Sequence, residues 1–122
     1  MKKSAIILLV ISTVFSSCYY DIEEDLFPGN GACDTNGVTY TATVLPALQS
    51  NGCLGCHSGS APSGNISLDG YNNVKAAAMN GKLYGTISYA AGYSPMPQGG
   101  NKMSACNINR IKAWIDAGAP NN

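Results

Sequence analysis

Ser104-Ala-Cys-Asn-Ile-Asn-Arg-Ile-Lys-Ala-Trp-Ile-Asp-Ala-Gly118 is the stretch that decides the fold class. Ile108, Ile111, Trp114 and Ile115 recur at helical spacing and share one face, whereas a half-buried strand would alternate apolar and polar residues. Ser104 suits an N-cap, Gly118 a C-terminal stop, and Pro120 lies just beyond it. Upstream, Leu68-Asp69 open a second helical pattern in which Tyr71, Val74, Ala77 and Ala78 line one side, ending near Asn80-Gly81. Pro46 suits the first turn of a further short helix that runs to a stop at Gly52. Residues 58–68 have loop composition, with Ile66 and Leu68 as apolar contacts of a pocket. Residues 82–93 could pass for a strand by composition, but no partner strand exists elsewhere, so they read as a turn of helix followed by loop. The expected fold class is all-α.

The rest of the chain bounds what such a fold could do. Its 122 residues and 12.7 kDa allow one small domain. Seven Lys and Arg balance seven Asp and Glu, so there is no strongly basic field to hold a nucleic acid by its phosphates. Hydrophobic residues at 45% and charged residues at 11% describe a loop-rich globule, not a disordered or coiled-coil chain. Five cysteines are available to compensate for a small core.

The amino end reads as an address. Lys2 and Lys3 precede an apolar run from Ala5 to Phe15, too short to span a bilayer and of the length of a signal-peptide core. Val14-Phe-Ser-Ser-Cys18 resembles a bacterial lipobox, which implies removal of residues 1–17 and a lipid anchor on Cys18; ordinary signal cleavage is the alternative. Residues 18–32 hold Asp21, Glu23, Glu24 and Asp25 and then Pro28-Gly29-Asn30-Gly31, a composition suited to a lipidated, flexible acidic tether. The domain proper is expected over 33–122. Its location is expected to be exported, on the periplasmic or cell-surface side of the membrane and anchored by lipid, with the outer membrane preferred.

Cys53-Leu54-Gly55-Cys56-His57 is the segment with the most chemistry in it. A C-x-x-C-H spacing is that of covalent c-type haem attachment: two thiols three positions apart can form thioethers on one porphyrin edge, and the following imidazole can ligate iron. Two other readings stay open. Cys53, Cys56 and His57 could form a zinc site with Cys33 or Cys106, or Cys53 and Cys56 could be a thioredoxin-like redox pair, although no βαβ pattern surrounds them. His57 is the only histidine, so a second protein ligand to iron would come from Met79, Met96 or Met103. Met96 is preferred because Ser94-Pro-Met-Pro-Gln-Gly-Gly100 can hold an extended side chain over a ring, and Met103 is the runner-up. A backbone carbonyl near Pro62 is expected to accept the His57 Nδ1 proton.

At residues 38–120 the chain resembles class I cytochromes c, particularly the small haem domains of Bacteroidetes-type lipoproteins. The likeness rests on Tyr40 and Val44-Leu-Pro-Ala-Leu48 ahead of Cys53-x-x-Cys56-His57, on Met96-Pro97-x-Gly99-Gly100, and on Ile111-x-Ala-Trp114-Ile-Asp-Ala-Gly-Ala-Pro120. The resemblance implies first and last helices that cross, long loops around one haem c, and His57 and Met96 on opposite faces of the iron. Because first and last helices would then meet, a disulfide between Cys33 and Cys106 is sterically reasonable; these two cysteines depart from the general family pattern.

The implied function is electron transfer by a membrane-anchored monohaem cytochrome, not an enzyme, whose partners are redox proteins and the membrane. Two alternatives stand beside it. An open iron position would make a haem-based ligand-binding or peroxide-reducing protein, and a structural docking lipoprotein would use the domain only for attachment. Lys75, Lys82, Lys102, Arg110 and Lys112 are candidate rim charges for a partner. Trp114 reads as a core aromatic.

Overall fold

Thr39 opens the helical part of the chain, its hydroxyl accepting from the Ala42 N–H at 3.1 Å. The computed structural model describes residues 33–122, and the expected signal peptide, the expected tether and Cys18 lie outside the described residues. A π-helical turn at Tyr40–Val44 leads straight into α1 at Leu45–Ser50. The Val44 N–H bonds the carbonyl of Thr39 and the Leu45 N–H that of Tyr40, each five residues back. This widened turn falls just ahead of Pro46, which can neither donate a hydrogen bond nor tolerate a carbonyl packed against its ring four residues back. The helix therefore starts six residues before the proline that the sequence reading took as its first turn.

A left-handed residue at Gly52 turns the chain into α2 at Cys53–Cys56, and a 3-10 turn at Ser63–Asn65 follows. Then come α3 at Tyr71–Met79, α4 at Lys82–Ser88 and α5 at Ala105–Asp116. The described residues contain no strand, so the all-α reading stands. The segment expected to give one turn and then loop gives two turns in α4, which buries Leu83 and Ile87.

The core sits where α5 crosses the Tyr40–Ser50 region. Trp114, Leu48, Ile111, Val44 and Val74 are its largest fully buried side chains. The Tyr40 ring lies 5.9 Å from that of Trp114 and meets Tyr71 edge-on at 5.2 Å, an arrangement favoured by the ring quadrupoles. At the end of α5, Gly118 takes φ +89, a conformation costly for any residue with a side chain. The Gly118 N–H then reaches the Ile115 carbonyl and the Ala119 N–H that of Trp114, closing a Schellman motif. The chain turns back over the core, where the Pro120 carbonyl accepts from Trp114 Nε1 and the Ala119 carbonyl from the Tyr71 hydroxyl. Asn122 completes the closure by accepting from the backbone N–H groups of Tyr40 and Thr41, two of the unpaired donors at the start of the first helix.

Cys33 and Cys106 form a disulfide with a Cα–Cα separation of 5.3 Å, tying the start of the described chain to the first turn of α5. The finer expectation, a class I cytochrome c arrangement with long loops around one haem, is corrected. The core is closed by its own side chains, and the cleft left between α2 and the 94–98 loop has a volume of about 190 Å³. Pockets that enclose drug-sized ligands run to about 300–1,000 Å³.

At the N-terminus of α5, Ser104 Oγ accepts from the Asn107 N–H at 3.3 Å. Ser104→Ala is expected to lower stability by about 1 kcal/mol. Urea denaturation checks this, and an unchanged midpoint would deny the cap an energetic role.

Candidate functional site

The cleft is bounded on one side by the Cys53–His57 turn and on the other by Met96, Pro97 and Gln98. Its floor is apolar, made by Ile66 and Leu68 from the loop, Ala77 from α3, and Leu83 and Ile87 from α4. Leu83, Thr86 and Ile87 reach it together because they occupy neighbouring positions on one helical face.

His57 is half-buried, and its Nδ1 lies 2.9 Å from the Ile66 carbonyl. A carbonyl can only accept, so the Nδ1 proton is the donated one and the neutral ring keeps a lone pair on Nε2. The Leu68 N–H also donates to the His57 carbonyl, so backbone and ring together pin the loop. The acceptor is Ile66 and not a carbonyl near Pro62: the 3-10 turn over Ser63–Asn65 absorbs the residues between and brings Ile66 back to the ring.

Cys53 and Cys56 are free thiols. Burial pushes the Cys53 thiol above its ordinary pKa, whereas Cys56 is exposed. The chain's disulfide is elsewhere, at Cys33 and Cys106. That bond removes both proposed fourth ligands from the zinc alternative, which is thereby corrected as well.

The opposite wall depends on Tyr93. Its ring lies against α4 at Gly85, where a Cβ would stand 2.6 Å from the ring carbons, so only glycine admits the contact. The Met96 N–H then bonds the Thr86 carbonyl, which fixes the 94–98 loop beside α4. Met103, the runner-up ligand, is 3% exposed and packs in the core instead of the cleft. Met79 ends α3 and is exposed.

The structure thus brings Cys53, Cys56, His57 and Met96 onto one cleft. Among the described residues, however, no group of three or more His, Cys, Asp or Glu side chains is placed to hold a metal ion. No family model, no curated protein and no solved structure matches the chain. Membership of the class I cytochromes c therefore has no support, and the identification is withdrawn. Covalent haem c, iron ligation by His57 and Met96, and electron transfer rested on that resemblance together with the C-x-x-C-H spacing. They are set aside with it, on the missing metal-ligand cluster, the unmatched sequence and fold, and the size of the cleft. What remains is an apolar recess with two thiols and an oriented imidazole at its edge.

Sequence reasoning had Lys82 as a rim charge and Ala77 on a lining helix face, and missed Thr86 as a cleft residue. The i, i+3, i+4 spacing of Leu83, Thr86 and Ile87 was the available signal for the side of the cleft formed by α4. No helix among the described residues is long and apolar enough to cross a membrane. The Cys33–Cys106 bond fits a domain that matures outside the cytoplasm, where disulfides persist.

Proposed function

We propose that the domain is an extracytoplasmic binding module, held at a membrane surface through Cys18, whose cleft receives an apolar group from a small molecule or a docking partner. Its role is attachment instead of catalysis. The observation that carries this reading is the cleft itself: an apolar floor of Ile66, Leu68, Leu83 and Ile87, rigidly backed by core helices and open at one side. At about 190 Å³ it is somewhat larger than an apolar cavity of about 150 Å³ that takes up benzene, so a fused two-ring body is of suitable size.

A neutral two-ring probe, 2-naphthamide, is expected to bind the exported protein and to shift the NMR signals of Leu83, Ile87 and Met96. Thr86→Phe, at a half-buried cleft position, is expected to fill the recess and reduce that binding at least tenfold while leaving the thermal midpoint within a few degrees. Equal binding by wild type and variant would overturn the reading. So would a mass adduct on the peptide carrying Cys53 and Cys56 in the exported protein, because a group held there covalently would already occupy the cleft.

A further inference from the structure

Five cations lie in the described domain, and four of them are engaged by their neighbours. Lys75 Nζ sits over the Tyr71 ring at 5.6 Å and Lys102 Nζ over Tyr89 at 5.0 Å. Lys112 lies over Tyr84 at 5.6 Å and pairs with Asp116. Arg110 Nε donates to the Asp34 carbonyl at 3.1 Å. Lys82 alone, among the described residues, has no ion pair, no aromatic face and no side-chain hydrogen bond, and it is the cation that borders the cleft. No carboxylate lines that cleft.

From this juxtaposition we infer that the cleft is built for an amphiphilic anion: a compact apolar body with one carboxylate, the body against Leu83 and Ile87 and the carboxylate at Lys82. The inference rests on the binding reading above and specifies its ligand class. An apolar recess with a single unpaired cation at its edge sorts ligands in two steps. Burial of the body supplies most of the affinity, since each Å² of apolar surface removed from water is favourable. The ammonium then discriminates, because a carboxylate beside it gains a charge-assisted contact that a neutral group of the same shape lacks. Lys82 is exposed, so its charge costs nothing to keep solvated when the site is empty, and its contribution is screened by salt. The engaged state of the other four cations makes them poor substitutes.

The test compares 2-naphthoate with the isosteric 2-naphthamide by calorimetric titration of the full exported protein. At low salt the carboxylate is expected to bind about three- to fivefold more tightly, the upper part of the range of an exposed charge pair, and the advantage should vanish in concentrated sodium chloride. Lys82→Gln should abolish the preference, and Lys82→Glu should reverse it. Equal affinity for both probes in the wild type would overturn the role given to Lys82 and leave the apolar cleft standing. Failure of both probes to bind would overturn the cleft reading and this inference together. A preference that survives Lys82→Gln would place the anion elsewhere and overturn the assignment.

Discussion

Replacing Cys33 and Cys106 together by Ala is expected to lower the stability of the domain by about 4 kcal/mol. The bond closes a loop with a sequence separation of 73 residues. In the chain-entropy account, such a cross-link removes so many conformations from the unfolded chain that the folded state gains this much by comparison. For a domain near this size, each kcal/mol moves the midpoint by about 4–8 °C, so a loss on the order of 20 °C should follow. The native side gives little of this back, since neither cysteine belongs to the buried core and the first and last helices already pack through Tyr40 and Trp114. Thermal melts of the double variant, and of the wild type with and without reductant, measure the effect. A shift below about 5 °C would mean that the unfolded chain keeps the two ends together without the bond.

The parts of this fold that could be read in advance are those whose determinants are local. Helix α5 is legible because Ser104, the Ile108-Ile111-Trp114 stripe and Gly118 all lie within its own span and act on its own backbone. The start of the first helix is not legible, because Pro46 is a strong local signal for a first turn. Only the widened turn and the distant Asn122 acceptor let helical structure extend back to Tyr40. Helix α4 was obscured by tyrosines and an isoleucine that suit strands by composition, while its buried residues follow the helical period.

The cleft shows the same division between local and long-range information. Cys53, Cys56 and His57 are adjacent by spacing alone, but nothing local fixes what stands across from them. Met96 arrives there because Tyr93 packs on Gly85, and Lys82 because α4 follows α3 after a tight turn. A backbone carbonyl carries no sequence signature, so the choice of Ile66 as the partner of His57 Nδ1 depended on the 3-10 turn before it. The haem expectation had the same weakness: C-x-x-C-H spacing describes one wall and leaves open the volume beyond it.

Trp114→Ala is expected to cost about 3–5 kcal/mol, a large share of the stability of any small domain. Trp114 is fully buried, its ring stands beside Tyr40, and its Nε1 donates to the Pro120 carbonyl at 2.9 Å. Truncation removes apolar burial and leaves a cavity at the crossing of the first and last helices, where the surrounding side chains have little freedom to collapse. Trp114→Phe separates the two contributions: it keeps much of the ring and loses the hydrogen bond, so about 1 kcal/mol should be assignable to the bond alone. The returning segment adds a coupling. Ala119 through Asn122 are held by Trp114 and Tyr71 at one end and by the Tyr40 and Thr41 backbone at the other. If these contacts act as one latch, Trp114→Phe and Asn122→Ala should cost less together than the sum of the two alone, since the first already loosens what the second would release. A double-mutant cycle by urea denaturation gives the answer: additivity within about 0.3 kcal/mol would show that the tail is held by independent contacts.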